Sequence, residues 1–205
     1  MNTPTRYLVP RPRGASWAVS SRQDEPDRRI ILTLMGKAGE QPMDLDALAG
    51  SAGMAPGTEF GKFVFGLQRR GYLTCDTAPL SLPEHPTFAE AINDCLAQLA
   101  LSGTAILANE HGLAYGRAGA SVTDANLMAS MAWRMFEMRE RLRRSMSRHP
   151  SSEHMNLTGA YVIEDLQLMP IDTGKRRFHL VTLGQPEFTN GAYVALIALL
   201  IRRYQ

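Results

Sequence analysis

Three prolines fall within a short stretch: Pro79, Pro83 and Pro86. Each fixes φ and removes a backbone donor, so neither a helix nor a central strand runs through this segment. Patterned sequence lies on both sides. The chain is therefore expected to fold as two parts, divided by a linker over residues 83–86. With 205 residues in total, each part has the length of a modest domain.

Composition narrows the classes. Hydrophobic residues make up 44% and charged residues 20%, which excludes wholesale disorder. Residues 1–86 carry ten Lys or Arg against nine Asp or Glu, and residues 87–205 carry twelve against eleven. Both halves are near neutral, and neither demands a strongly charged partner. Cys75 and Cys95 cannot build a disulfide framework, so reduced cytoplasmic thiols are expected. The N-terminus has no apolar run of signal-peptide length. The longest apolar run, Ala192 to Ile201, is well short of the roughly 20 residues of a membrane span. It reads as a buried helix, and the chain reads as soluble and cytoplasmic with no membrane span.

Residues 1–26 hold Pro4, Pro10, Pro12 and Pro26 with Arg6, Arg11, Arg13 and Arg22. They read as a flexible basic arm, or as a strap held on a partner through Tyr7, Leu8, Val9 and Trp17. Residues 27–82 change character. Ile30, Ile31, Leu34 and Met35 recur at helical spacing, and Gly36 to Gly39 stops that helix. Asp44 can cap a second helix bearing Leu45, Leu48, Ala49 and Ala52. Gly53 to Gly57 makes a tight turn. Thr58 is placed to cap a third helix with Phe60, Phe63, Val64 and Leu67, ended by Gly71 before the strand Tyr72 to Cys75.

That order of helices, the turn and the closing "RRGYL" resemble a winged helix-turn-helix domain. The scaffold serves DNA and protein partners alike. Thr58, Lys62, Gln68, Arg69 and Arg70 are the candidate contacts on the third helix. Glu59, Phe60, Phe63 and Phe65 count against a major-groove reader.

The second part opens with an amphipathic helix over residues 87–101. A strand follows from Thr104 to Ala108, a turn from Asn109 to Gly112, and a returning strand from Leu113 to Gly116. A long helix capped by Thr123 or Asp124 runs to about Ser147. Three strands come next, over 157–163, 166–171 and 178–183, then a last helix from Thr189 to Tyr204. The order and the hairpin "AILANEHGLAYGRAG" resemble the roadblock/dynein-light-chain family, a profilin-like fold, over residues 87–205. The segment Ser147 to Asn156 is longer than the family pattern. The expected fold is α+β: a winged-helix-like domain and a roadblock-like sandwich with an antiparallel five-stranded sheet.

Catalytic signatures fail on their physical requirements. A phosphate loop ending at Gly61-Lys62 would place Pro56 at its first glycine and Phe63 at its hydroxyl. Ser51 lacks the preceding glycine of a nucleophile elbow. Cys75 and Cys95 have no second metal ligand nearby, and His149, Glu153 and His154 read as a solvated loop rather than a metal site. Glu164 and Asp165 read as a turn, not an acid/base pair. No catalytic residue, metal or cofactor is expected.

The long helix carries the binding signal. Met128, Met131, Met135, Met138 and Leu142 follow 3, 4, 3, 4 spacing, one apolar seam. Leu127, Ala132, Trp133 and Phe136 add a second apolar face. The seam either faces its own sheet or meets another chain, and a domain of this size has little core to spare. The roadblock resemblance implies a homodimer through this helix and the strand near Tyr161, with a Ras-like GTPase or another protein docked on it. The leading reading is a non-enzymatic, homodimeric scaffold or regulator. The alternative is a dimeric winged-helix transcription regulator that binds DNA.

Overall fold

The computed structural model describes residues 5–38, 44–146 and 161–205. By its contacts the chain divides into two compact units. The first comprises Met1–His85, Thr173–Lys175 and Phe188–Gln205, and the second Pro86–Asp172 and Arg176–Glu187.

The first unit begins with strand β1 (Tyr7–Pro10) and helix α1 (Pro12–Val19). These residues were expected to form a flexible arm. They are ordered because Pro12 stands in the first turn of α1, where a missing N–H costs nothing, and because β1 has a partner. Helix α2 (Pro26–Gly36) follows, then α3 (Leu45–Ala52). Asp44 caps α3, its carboxylate accepting from the Asp46 and Ala47 amides. Gly53 ends α3 at φ 70°, a left-handed conformation that glycine adopts without penalty. Helix α4 (Thr58–Arg69) has Gly57, not Thr58, as its N-cap.

Strand β2 (Leu73–Asp76) pairs antiparallel with β1, Leu8 opposite Cys75. The expected wing would need a second strand after the third helix. Among the described residues the partner comes instead from the N-terminus.

Helix α7 (Gly191–Tyr204) also belongs to this unit and packs on α2 and α1. The sequence reading placed it in a domain spanning residues 87–205. Composition cannot show that a chain returns to an earlier unit. The return redistributes charge. The first unit now holds thirteen basic and nine acidic side chains, +4, and the second nine and eleven, −2. The even split read from the sequence does not survive the fold.

The second unit opens with α5 (Phe88–Ala100), started by a capping box in which Thr87 and Glu90 satisfy each other's amides. Strands β3 (Thr104–Asn109) and β4 (Ala114–Ala118) form a hairpin, and α6 (Val122–Met146) follows. The cap of α6 is Ser121, whose hydroxyl accepts from the Asp124 amide. Strands β5 (Tyr161–Ile163), β6 (Leu166–Asp172) and β7 (Arg177–Leu183) complete an antiparallel sheet ordered β4-β3-β7-β6-β5. Its body is the four strands β4, β3, β7 and β6, with short β5 added on β6.

Helix α6 lies over β3, β7 and β4. The core there is built from Ile106, Ala108, Leu168 and Val181 of the sheet and Ala125, Ala129, Ala132 and Phe136 of the helix.

Candidate functional site

Helix α6 buries Ala125, Ala129, Ala132, Phe136 and Arg139. These recur at 4, 3, 4 and 3 residues, one face of a helix. Three of the five are alanines, so the helix backbone can lie close to the sheet. The methionine seam read from the sequence is therefore split. Met128 and Met135 are half-buried on the flank of the core. Met131, Met138 and Leu142 point outward with Leu127, at 48%, 68%, 50% and 61% exposure. Trp133 is half-buried against the hairpin turn, where Gly112 leaves room for its Cβ. Tyr161 stands in β5 opposite Leu168 in register.

Two asparagines finish one edge of the sheet. The Arg117 amide donates to Asn93 Oδ1 at 2.9 Å, and the Ala114 amide donates to Asn126 Oδ1 at 3.2 Å. Two amides of β4 are thereby occupied, one of the ways an edge strand is kept from pairing. A shallow depression of about 210 Å³ lies between these side chains, Tyr115 and Val122. At the opposite edge, no strand pairs beyond β5 among the described residues.

Beneath α6, His179 stacks on Phe136 at 4.2 Å between ring centroids. Burial, with the Arg177 charge adding to it, pulls its pKa from 6.5 down to about 4. Around the C-terminal half of the helix, Glu137 pairs with Arg141 at 3.5 Å, the expected i,i+4 order. Glu140 lies 3.9 Å from Arg177.

Among the α4 candidates, Thr58, Lys62 and Arg69 recur at 4 and 7 residues and share one exposed face of the helix. Thr58, Lys62, Arg69 and Arg70 are exposed, and Gln68 is half-buried. Lys62 is tied to Glu59 at 2.7 Å, and Arg70 to Asp27 at 3.2 Å. Phe60 is buried and Phe63 half-buried, but Phe65, on another side of the helix, stands 60% exposed.

Sequence reasoning missed a cluster around Tyr72. Trp17 of α1 stacks on the Tyr72 ring at 5.4 Å. The Arg13 and Arg70 guanidinium carbons lie 5.8 and 5.0 Å from its centroid. The Arg11 amide donates to the Tyr72 carbonyl at 2.9 Å. The "RRGYL" motif held two of these residues, but only the docking of α1 supplies the rest.

Burial, with Asp94 second, pushes the Cys95 thiol up to about 12, so it stays protonated. Among the described residues no group of His, Cys, Asp and Glu could hold a metal ion. His149, Glu153 and His154 lie outside the described residues. Among the described residues no helix is long and apolar enough to cross a membrane.

No family model matches this chain, and no curated protein matches it. Solved structures do. The Roadblock/LC7 domain from Streptomyces avermitilis is 16% identical, with a TM-score of 0.37, over 54% of this chain and 93% of that one. Myxococcus xanthus MglB is 17% identical, with a TM-score of 0.36, over 60% and 90%. An MglB with a tetrameric arrangement is 13% identical, with a TM-score of 0.38, over 60% and 93%. Over a little more than half its length, the chain is similar to a roadblock domain.

Proposed function

We propose that this protein is a non-enzymatic scaffold or regulator that associates with a second copy of itself through the outer face of α6. The observation that carries the reading is the stripe Leu127, Met131, Met138 and Leu142. All four are large, apolar and outward-facing. They follow one another at helical steps, so they form one stripe rather than scattered surface residues. Flexible, polarizable methionines suit such a contact.

A two-fold pairing uses the same patch on both copies, so one apolar stripe is sufficient. Asn93 of α5 and Asn126 of α6 occupy two amides of β4, which leaves β5, the strand of Tyr161, as the sheet edge open to a partner among the described residues. The paired helices would present a composite face to a further protein. A Ras-like GTPase is the partner class that the sequence resemblance implies, and a component of a larger assembly would dock in the same way. The first unit supplies a second binding surface.

Light scattering tests the reading. The wild type is expected at twice the chain mass at micromolar concentration. Met131→Glu should make it monomeric, because an unpaired charge buried at the contact costs several kcal/mol. A wild type that stays at the single-chain mass up to about 100 μM, weaker than any stable dimer, refutes the proposal.

A further inference from the structure

We infer that the depression at the β4 edge of the second unit is a binding site for a carboxylate. Arg117 and the side-chain amides of Asn93 and Asn126 hold it.

The site forms where β4 is irregular. Leu107 faces Gly116 and Ala108 faces Ala114, so Tyr115 is an extra residue on the edge strand, a bulge. Bulges re-aim the side chains around them, and here α5 and α6 both reach the strand. Gly116 permits the approach of α5. A Cβ there would stand 2.6 Å from Ile92 and 3.1 Å from Asn93 Oδ1. Asn93 of α5, Val122 and Asn126 of α6, and Tyr115 and Arg117 of β4 then line the hollow.

Its fixed polar side chains offer one kind of group. Both carboxamide oxygens are already used. Asn93 Oδ1 accepts from the Arg117 amide at 2.9 Å, and Asn126 Oδ1 accepts from the Ala114 amide at 3.2 Å. What each asparagine has left is its Nδ2, which only donates. Among the described residues neither Nδ2 has a partner. Arg117 is exposed and spends one guanidinium nitrogen on the Ala120 carbonyl at 3.2 Å. Among the described residues it meets no carboxylate. The acids beside the asparagines are engaged elsewhere: Asp94 accepts from Gln98, and Asp124 accepts from the Ser121 hydroxyl.

Three donors, one of them cationic, with no lining carboxylate, call for an anionic acceptor. A carboxylate brings two oxygens and about four lone pairs, and its bond to a guanidinium is charge-assisted. The hollow measures about 210 Å³, below the roughly 300–1,000 Å³ of a drug-sized site. It therefore takes a carboxylate on a short stem, with Ala114, Tyr115 and Val122 as the apolar wall. A small free acid and a glutamate side chain of a docking peptide share this chemistry.

The test is a nitrogen–proton correlation NMR titration of the full chain with glutarate and, separately, with a capped Gly-Glu-Gly peptide. The side-chain amides of Asn93 and Asn126 should shift together with the Ala114 and Arg117 backbone amides, saturating at about 1 mM or below. Either ligand doing so upholds the inference, and the tighter one names the source. Asn126→Asp keeps an oxygen for the Ala114 amide but replaces the donor by a like charge, and should weaken binding at least tenfold. Arg117→Gln should weaken it about tenfold by removing the charge-assisted bond. Unchanged melting temperatures check that both variants fold.

No shift of these amides up to about 20 mM of either ligand overturns the inference, and leaves the asparagines as caps of the strand edge alone. So does Asn126→Asp binding as tightly as the wild type. Neutral glutaramide or inorganic phosphate bound as tightly as glutarate overturns it too. None of the lining residues belongs to the stripe Leu127, Met131, Met138 and Leu142, so this site and the α6 contact stand or fall separately.

Discussion

Replacing His179 by phenylalanine tests the packing that holds α6 to the sheet. His179 is 2% exposed on β7 and stacks face to face on Phe136. Among the described residues neither ring nitrogen has a hydrogen-bond partner, and Arg177 and Arg139 lie near this pair. The unfolded chain takes up a proton on this imidazole near 6.5, and the folded chain only near pH 4. Between those values the unfolded state binds more protons, so stability falls as pH drops through that window and is level above it. At 1.36 kcal/mol per pH unit, the full interval is worth about 3 kcal/mol, of which about 2 kcal/mol is lost by pH 5. His179→Phe keeps the stacked ring and removes the proton site. Urea denaturation at several values between pH 5 and 7.5 should show the wild type losing about 2 kcal/mol more than the variant. Carboxylates titrate in both proteins and cancel in the difference. Parallel profiles for the two proteins refute the reasoning, because a buried, unpaired imidazole cannot be neutral in the fold without this cost.

Two further substitutions probe single joints. A Cβ at Gly14 would overlap the carbonyl oxygen of Tyr72, which is backbone and cannot turn away. Gly14→Ala should cost about 1–3 kcal/mol and shift Trp17 emission to the red as the ring leaves Tyr72, while an unchanged melting point and spectrum would count against the close approach. Thr87→Ala removes half of the capping box at the start of α5 and should cost about 1 kcal/mol, read as a lower denaturation midpoint with an unchanged m-value.

What the sequence disclosed follows from the range of the interactions involved. Caps and turns were legible because their partners lie within a few residues. Asp44 caps α3 through amides two and three positions on, and Gly53, Gly71 and Gly112 take positive φ where the pattern asked for a stop or a turn. The strand order after α6 was legible for the same reason, since short turns leave antiparallel neighbours little choice. What was misread depends on distance along the chain. Nothing near Tyr7 announces that β1 will pair with Leu73–Asp76, and nothing near Ala192 announces that α7 will pack on α2.

The reading of α6 turns on packing. Its large side chains form one seam in the sequence that either faces the sheet or meets another chain, and the face that meets the sheet is mainly alanine. Alanine gives a weak hydrophobic signal per residue, but it permits close approach of the helix backbone. The large side chains are then displaced to the flanks and the outside, as Met131 and Met138 are. The seam that the sequence shows as one stripe is therefore divided between the flank of the core and the outside of the helix. A core that takes three alanines and Phe136 from this helix leaves Leu127, Met131, Met138 and Leu142 outside it, and that is why the proposed contact is placed on them.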